Sequence, residues 1–426
     1  MSDPNSSLRR QRSIHVTARG WTTLAVGASC LVLAYPAGRR ELLVVGSLAL
    51  LLLLGGLLVA RLRRPRLEVI RLFSPPVVAA GSVARVTLRV RNTGSIAAPA
   101  LLWNDAIPWR EAQDAHELAP LPGGSPEART ALLRYELHPH RRGLFPIGPL
   151  VIEHSDPFGM VRRVAACGDV DRITVVPELV ELPDAGPLLV DGDGTAQLIQ
   201  RRATGNDDDL TTREYRAGDA LRRVHWRASA RHGELMVRQE EHRSHPDARI
   251  VVDTRLTGYP DAVPDSENWP PAPHSEAFEW AVRMLASLAV HLDASGFRVD
   301  IVESAGEQVE QIGERWEGGQ RAWSFLTSLA ELRLLERHHE LPTVAADAAG
   351  PTFAVLANPD ADVVEWLLRL RRPGQTGAVF ALAMRPDARE ALVDAGWLVV
   401  DVEPFDDISD AWRSSATEAG YLRGAY

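Results

Sequence analysis

The stretch at 248–253, ARIVVD, decides the fold of the C-terminal part of the chain. Three consecutive β-branched residues ahead of an aspartate are typical of a strand buried on both faces, as in a parallel sheet. Ligands of such sheets usually bind at the carboxyl ends of the strands. Alternating strands and helices downstream predict a doubly wound α/β domain over 244–426. The further strands are predicted at 297–303, 352–357, 377–383 and 397–402, and the helices at 275–293, 322–337, 363–371, 387–394 and 407–418.

An arginine-rich segment at 213–243 precedes this domain, and eight arginines fall within it. A turn at Gly218 predicts a helix that begins directly after it and ends soon after Arg231. Arg223, Arg227 and Arg231 recur every four residues on this helix, so they share one face. Like charges at this spacing repel one another unless an anion compensates them.

Two interpretations of this arginine face remain open. In one, the cations belong to an internal salt-bridge network with Glu214, Asp219, Glu234 and the acidic residues that precede the segment. In the other, the segment binds a partner through protein carboxylates, a phosphate or an acidic surface. The predicted partner-binding residues are Arg213, Tyr215, Gly218, Asp219, Arg222, Arg223, Trp226, Arg227, Ser229 and Arg231.

An enzymatic interpretation of the same segment uses Asp219, His225 or Ser229 in a cleft. His225 and Ser229 lie four residues apart and share a helix face. The sequence shows neither the strained elbow nor the oxyanion loop that a nucleophilic serine needs. We therefore predict no catalytic residues.

The segment 182–212 is rich in Asp and Gly and is predicted to be an acidic linker. Before it, 67–181 is predicted to be a β-sandwich of roughly seven short strands. The clearest strand is 83–92, where apolar and polar side chains alternate. Asp156 is followed by Pro, Phe and Gly, which predicts an Asx-type turn whose Phe158 plugs the sandwich core.

Two apolar runs, at about 21–37 and 41–60, predict a transmembrane hairpin over 21–62. Arginines are more frequent before the first run and after the second than in the turn between them. The positive-inside rule therefore puts residues 1–20, a basic N-terminus, and the soluble domains in the cytoplasm, behind a two-pass cell-membrane anchor. A cleaved signal peptide is the competing interpretation of the first run, but the small-x-small cleavage pattern is missing.

The composition limits the classes of partner and of site. A net charge of −9 argues against a general nucleic-acid binder, which would be basic. Cys30 lies in the first apolar run and Cys167 far along the chain, so neither a disulfide framework nor a cysteine metal site is expected.

The arginine-rich segment resembles the defining block of a bacterial family known as domain of unknown function 58. The resemblance rests on REY-x-x-GD-x-x-RRVHW-x-x-SAR at 213–231 and ELMVR at 234–238. The stretch from RG at 142–143 to DPFG at 156–159 resembles the upstream β-region of that family, and an N-terminal membrane hairpin is typical of it. The resemblance implies a von Willebrand factor A-like C-terminal domain. It also implies an association with MoxR-type AAA+ ATPases in maturing or remodelling other proteins, sometimes with metal loading, and it supplies no catalytic residues.

The A-domain resemblance can be tested against metal chemistry. A metal-binding A domain needs Asp-x-Ser-x-Ser after its first strand, because the carboxylate and two hydroxyls complete an oxygen shell for Mg²⁺. Here the corresponding run is DTRLT at 253–257. Asp253 and Thr257 could ligate Mg²⁺ together with Asp360, but Arg255 places a cation where a hydroxyl is required. We therefore expect this degenerate site to hold no metal, and no other cofactor is expected.

These features together predict a membrane-anchored, non-enzymatic scaffold or adaptor that binds protein partners, among them a MoxR-type AAA+ ATPase. Two alternatives come from other classes of function. One is an enzyme of unknown reaction, and the other is a module that binds an anionic ligand, such as a nucleotide or an acidic lipid headgroup, on the arginine face.

Overall fold

The structure is a computed structural model, and its contacts divide the chain into two compact units. The N-terminal unit comprises Met1–Glu178 with Pro264–Ala272, and the C-terminal unit comprises Leu179–Val263 with Pro273–Tyr426. Each unit is described by itself. The residues described are 13–62, 65–110, 115–123, 129–183, 212–214, 229–231, 234, 236–238, 247–310, 319–336, 341–344, 350–371 and 375–415.

The N-terminal unit begins with two helices that are long and apolar enough to cross a membrane. Helix α1 spans Ala18–Ala37 and helix α2 spans Arg40–Leu62, so each extends beyond the predicted run. The side chain of Thr17 caps α1 by accepting a hydrogen bond from the Gly20 backbone N–H at 3.2 Å. A left-handed Gly38 ends α1 and makes the turn into α2.

Glycines let the two helices approach closely. A Cβ on Gly46 would lie 2.8 Å from the carbonyl oxygen of Gly27, and a Cβ on Gly27 would lie 3.2 Å from the Cβ of Ala49. Small residues at the crossing allow the backbones to pack, as in other apolar helix pairs. The predicted helical hairpin is therefore present.

Eleven strands follow or flank these helices within the described part of the N-terminal unit. They form one sheet of order β1-β10-β9-β5-β6 and two three-stranded sheets of order β3-β11-β8 and β2-β4-β7. The strands are β1 (Ser13–Val16), β2 (Leu67–Ser74), β3 (Val77–Ala79), β4 (Ala84–Asn92), β5 (Leu101–Asp105), β6 (His116–Leu118), β7 (Thr130–Leu137), β8 (Gly143–Ile147), β9 (Leu150–Ser155), β10 (Val161–Cys167) and β11 (Asp171–Val176).

The sandwich core follows from period-two patterning. On β4 every second side chain is buried, among them Val86, Leu88 and Val90, and these pack against residues of the other sheets such as Phe145 and Ile173. Strand side chains alternate between faces, so the apolar phase of each strand faces inward. The predicted strand at 83–92 is confirmed.

Two predictions about this unit were wrong. The sandwich has more strands than the seven expected, and one of them, β1, lies in the stretch 1–20 that was predicted to be a basic tail. Residues Ser13–Val16 instead pair with Val161–Val164 of β10. The segment Pro264–Ala272 belongs to the N-terminal unit and not to the α/β domain predicted over 244–426, because the Trp269 backbone N–H donates to the Leu144 carbonyl at 2.8 Å.

The C-terminal unit contains a five-stranded parallel sheet of order β17-β14-β18-β19-β20. Its strands match the predicted ones closely. The strands described after residue 211 are β12 (Thr212–Glu214), β13 (Met236–Arg238), β14 (Asp247–Val252), β15 (Val263–Asp265), β16 (Ala272–His274), β17 (Arg298–Glu303), β18 (Thr352–Leu356), β19 (Gly377–Leu382) and β20 (Leu398–Val402). Of these, β15 and β16 lie at the two ends of the segment Pro264–Ala272. The helices are α3 (Glu276–Ala294), α4 (Gly319–Glu331), α5 (Ala361–Leu370) and α6 (Pro386–Asp394), with a last helical run at 408–415.

Helices cover both faces of this sheet. On one face, Trp366 of α5 packs in a core cluster with Val251 and Ala354. On the other, the rings of Trp280 and Trp412 lie 6.5 and 6.4 Å from that of Phe380. The predicted doubly wound α/β arrangement is present. Most of the predicted acidic linker, from 184 to 211, lies outside the described residues.

Candidate functional site

The strand order of the parallel sheet creates a crevice between β14 and β18. Strand β14 comes first along the chain, and its neighbours β17 and β18 lie on opposite sides of it. The connections that leave β14 and β18 therefore diverge at their carboxyl ends. This topological switch point is where open α/β sheets bind their ligands.

A guanidinium fills this crevice. Arg255 donates from Nε and Nη2 to the two carboxylate oxygens of Asp253, each at 3.0 Å. Its Nη1 donates to Asp360, which follows β18, at 2.8 Å. The Ser304 hydroxyl, which follows β17, donates to Asp253 as well. We call Asp253, Arg255, Ser304 and Asp360 the Arg255 cluster.

The Arg255 cluster is closed to solvent on the β14 side. Asp253 and Arg255 are 0% and 1% exposed, whereas the side chain of Asp360 is 40% exposed. Burial lowers the pKa of Arg255, but the hydrogen bonds and charge of Asp253, followed by those of Asp360, outweigh it and the pKa is raised. The guanidinium therefore stays charged, and its positive charge compensates both carboxylates, as a bound metal ion would.

The loop after β14 completes the enclosure. A Cβ on Gly258 would collide with the Asp253 carboxylate, and the Tyr259 hydroxyl donates to the Asp253 carbonyl at 2.9 Å. Of the three predicted metal ligands, Asp253 and Asp360 are therefore brought together through Arg255. The third, Thr257, lies exposed in the short 3₁₀ turn Leu256–Gly258. The residues present suit a guanidinium better than they suit Mg²⁺, because each of the two carboxylates already accepts from Arg255.

A second buried arginine lies in the sandwich, and sequence reasoning missed it. Arg71 binds both oxygens of Asp105 at 2.9 and 2.7 Å, and it binds Asp171 at 2.5 Å. The Tyr135 hydroxyl donates to Asp105. We call these four residues the Arg71 cluster. The signal was available, since Arg71 stands in the inward phase of β2, between Val69 and other apolar positions.

The arginine-rich segment is described only in part. The structure places Arg213 in β12, which pairs with β13, and a short helical run at 229–231. The Ser229 hydroxyl accepts a hydrogen bond from the Met236 backbone N–H at 2.8 Å, and Arg231 is exposed. Seven predicted partner-binding residues lie outside the described residues: Tyr215, Gly218, Asp219, Arg222, Arg223, Trp226 and Arg227.

The turn after β9 has a role that the sequence did not indicate. Asp156 forms the predicted Asx-type turn, because its carboxylate accepts from the backbone N–H groups of Phe158 at 3.0 Å and of Val161 at 2.6 Å. Phe158 does not plug the core, however, since it is 53% exposed. That part of the prediction was wrong.

This turn instead joins the sandwich to both apolar helices. The Thr17 hydroxyl donates to the Gly159 carbonyl at 2.6 Å, and the Thr17 backbone N–H donates to the Met160 carbonyl at 2.9 Å. A Cβ on Gly56 of α2 would lie 3.1 Å from the Asp156 carboxylate. The helices and the sandwich therefore meet at a defined joint.

Three solved structures are remotely similar to the chain. The CARDB domain of a Pyrococcus furiosus protein in complex with di-metal ions is 18% identical, with 27% of this chain and 90% of that chain covered and a TM-score of 0.20. The sporulation control protein Spo0M from Bacillus subtilis is 13% identical, with 36% and 58% covered and a TM-score of 0.14. A cycloisomaltooligosaccharide glucanotransferase from Paenibacillus sp. is 12% identical, with 78% and 53% covered and a TM-score of 0.18. Similarities at this level support no conclusion about fold or function.

The sequence comparisons are more specific. No functionally curated protein matches the chain. A family model described as "Protein of unknown function DUF58" matches the segment that holds the arginine-rich residues and the first part of the parallel sheet. Over residues 211–331, the chain is therefore similar to the DUF58 family of proteins of unknown function.

Proposed function

We propose that this protein is a membrane-anchored scaffold or adaptor that binds protein partners and makes or breaks no bond itself. The observation that carries this proposal is the guanidinium of Arg255, which occupies the crevice where an α/β sheet would hold a metal or a small ligand. Because the side chain of Arg255 occupies that position, the carboxyl edge of the sheet can serve as a surface that binds a protein partner.

The anchoring part of the proposal rests on the two apolar helices and their joint with the sandwich. A joint made by backbone and buried groups fixes the sandwich at the end of the helices. We propose that both helices cross the cell membrane and that the soluble units lie in the cytoplasm, as the distribution of arginines predicts. Fusions of a cytoplasmic and a periplasmic reporter to the C-terminus test this directly, and activity of the periplasmic reporter alone would refute it.

The recognition part of the proposal concerns the C-terminal unit. Its parallel sheet with helices on both faces is compatible with a von Willebrand factor A-like domain, and we propose that it is one, with no metal at the Arg255 cluster. The partner that the family resemblance suggests is a MoxR-type AAA+ ATPase. Ser229, a candidate nucleophile in the enzymatic alternative, is hydrogen-bonded to the backbone at Met236, which favours a structural role for its hydroxyl.

The direct test is co-purification of the full-length protein from detergent-solubilised membranes, with partners identified by mass spectrometry. In one variant Arg223, Arg227 and Arg231 are all changed to Glu. In the matched control three other arginines of the C-terminal unit are changed to Glu. These are Arg369, Arg389 and Arg413, each of which is exposed and forms a surface ion pair.

We expect a AAA+ ATPase to be recovered with the wild type and with the control but not with the first variant. Equal recovery from both variants would exclude the arginine face as the contact. Recovery of no ATPase with any form of the protein would contradict the proposed partner.

A further inference from the structure

A cleft of about 730 Å³ opens in the N-terminal unit beside the end of helix α2. Its walls come from the linker that leaves α2 and from the paired strands β9 and β10. We call it the base cleft. The residues that matter to its chemistry are Arg66, His154 and Arg163.

The base cleft is lined by basic side chains. Among the described residues that line it none is acidic, whereas two are arginines and one is a histidine. His154 and Arg163 stand directly opposite each other on β9 and β10, so their side chains are neighbours on one face of the sheet. Both residues therefore present basic groups on the same face of the sheet.

His154 supplies a second and independent observation. The residue is 8% exposed, and its Nε2 is buried with no hydrogen-bond partner. Burial, together with the charge of Arg163, lowers the pKa of His154, so the ring is neutral near pH 7. A neutral imidazole can donate from one ring nitrogen, so this buried nitrogen is available to donate to an oxygen of a bound group.

Arg163 ties the base cleft to the end of the apolar helix. Its Nη1 donates to the carbonyl oxygen of Ala60, in the last turn of α2, at 2.7 Å. A cation at a helix C-terminus is favourable in its own right. The guanidinium thereby lies beside a helix whose Leu58, two residues earlier, is 56% exposed.

The contact between Arg163 and Ala60 indicates the depth at which the base cleft lies if α2 crosses a membrane. Two residues of helix rise are about 3 Å, and the headgroup layer on each side of a bilayer is roughly 5–8 Å thick. A cleft that begins at Ala60 therefore lies at headgroup level when Leu58 lies in the hydrocarbon edge. The group that a lipid presents at this depth is its phosphate.

We propose that the base cleft binds the phosphate of an anionic phospholipid, held by Arg66, Arg163 and the ring of His154. This inference rests on the membrane anchoring proposed above. The lipid would fill the space between the end of α2 and strands β9 and β10, and it would stabilise the joint between helices and sandwich.

The test uses full-length protein in detergent, analysed by native mass spectrometry while phosphatidylglycerol, phosphatidylcholine or inorganic phosphate is added. Arg66→Gln removes an exposed side chain from the cleft rim, and His154→Gln changes the buried wall. Arg162→Gln is the matched control, because Arg162 neighbours Arg163 on β10 but faces the other side of the sheet, where it pairs with Glu153. Thermal unfolding checks that each variant is folded. If His154→Gln does not fold, Arg66→Gln still tests the proposal.

We expect one phosphatidylglycerol to bind more tightly than phosphatidylcholine, with about tenfold weaker binding in Arg66→Gln and in His154→Gln, the loss expected when one charge-assisted hydrogen bond is removed. Arg162→Gln should bind like the wild type. Equal binding by all forms, or an equal loss in the control, would overturn the proposal.

Two further outcomes separate the source of the phosphate and the fate of the anchor. If inorganic phosphate binds with the same dependence on Arg66 but phosphatidylglycerol is no better than phosphatidylcholine, the ligand is a free anion and the lipid assignment is wrong. Extraction of the protein from native membranes by alkaline carbonate would refute the anchoring alone. The headgroup measurement in detergent does not depend on that result, so the two failures are distinguishable.

Discussion

Arg71 in the N-terminal unit and Arg255 in the C-terminal unit have nearly the same chemical surroundings. Each guanidinium binds one carboxylate through Nε and Nη2 and a second carboxylate through Nη1. In each cluster a hydroxyl, of Tyr135 or of Ser304, donates to the first carboxylate. In each, the second carboxylate remains partly exposed, at 45% in the sandwich and 40% at the sheet edge.

The difference between the clusters is the backbone that carries them. All four residues of the Arg71 cluster lie on strands of the sandwich, and its arginine lies within β2. The Arg255 cluster is assembled from loops that follow three neighbouring parallel strands. Only the second position is one where α/β folds bind ligands. A buried ion cluster therefore does not identify a functional site by itself, and the topology has to be read with it.

The largest expected effect comes from removing either arginine. Arg71→Ala and Arg255→Ala each leave buried carboxylate charge unpaired, so we expect each to reduce the free energy of unfolding by about 3–5 kcal/mol. Hydrogen exchange measured by mass spectrometry should show that each substitution loosens its own unit. Arg413→Ala, at an exposed ion pair, is the control, with an expected loss of about 0–1 kcal/mol. A loss that small for Arg255→Ala would show that Asp253 does not need its guanidinium.

The next prediction asks whether only one of the two positions can take a metal. Arg255→Ser restores the Asp-x-Ser pattern that an A-like metal site needs, whereas Arg71→Ser creates no such pattern. We expect Mg²⁺ to raise the melting temperature of Arg255→Ser but not that of Arg71→Ser or of the wild type. At a concentration one hundred times the dissociation constant, the stabilisation would be about 2.7 kcal/mol. If Mg²⁺ stabilises both variants, or neither, the two clusters do not differ in their ability to bind a metal.

The two hydroxyls should matter equally if the clusters are alike in their local chemistry. Tyr135→Phe and Ser304→Ala each delete one donor to a buried carboxylate, with an expected loss of about 1–3 kcal/mol in denaturant unfolding. Burial, followed by the charge of Asp105, raises the pKa of Tyr135, so its hydroxyl remains a donor at ordinary pH. A much larger loss for Ser304→Ala would show that the Arg255 cluster depends on its hydroxyl donor more strongly than the Arg71 cluster does.

Much of the architecture could be predicted because periodicity and composition act locally. The apolar strands of the parallel sheet and the alternation of β4 follow from which face of each strand is buried, and the structure has them within a residue or two. One helix shows where local reasoning fails. The sequence pattern predicted a helix as far as residue 337, but α4 ends at Glu331. Beyond it, the Leu335 backbone N–H donates to the Thr254 carbonyl, and the Leu335 carbonyl accepts from the Leu256 backbone N–H. Such a long-range bridge leaves no trace in a periodic pattern.

The candidate sites divide in the same way. Asp253, Arg255 and Asp360 could be proposed from the sequence, because their positions after predicted strands bring them to one edge of the sheet. Ser304 directly follows the predicted strand 297–303, so the same argument could have placed it at this edge, although the sequence analysis did not propose it. The base cleft was not predictable, because the pairing of His154 with Arg163 depends on the register of β9 and β10.

A fourth prediction concerns Glu303, which precedes Ser304 and has no counterpart in the Arg71 cluster. Burial raises the pKa of Glu303, although backbone N–H groups of Gln308 and Val309 donate to its carboxylate at 2.8 and 2.7 Å and act to lower it. A raised pKa means that its contribution to stability is full below the ordinary glutamate pKa and is lost as the pH rises through the folded-state value. Glu303→Gln does not ionise and keeps an acceptor.

We therefore expect the melting temperature of Glu303→Gln, relative to the wild type, to increase between pH 4 and pH 8. Glu365→Gln, at an exposed ion pair on α5, is the control and should show no such trend. A difference that stays constant with pH would mean that Glu303 binds protons equally in the folded and unfolded protein, so that its pKa is not raised.

The smallest effects are expected at the partly exposed carboxylates. Asp171→Asn and Asp360→Asn each remove one ion pair with a buried arginine at a site that water reaches, so we expect a loss of about 0–1 kcal/mol in each. Asp360 also caps α5, since its carboxylate accepts from the Val363 backbone N–H at 3.0 Å. Asn is an equally good N-cap, so this substitution isolates the ion pair from the cap. If Asp360→Asn costs several times more than Asp171→Asn in the same unfolding assay, Arg255 depends on carboxylates from both diverging strands. The Arg255 guanidinium would then stabilise the switch point by pairing with both carboxylates, whereas the Arg71 guanidinium would be stabilised by Asp105 alone.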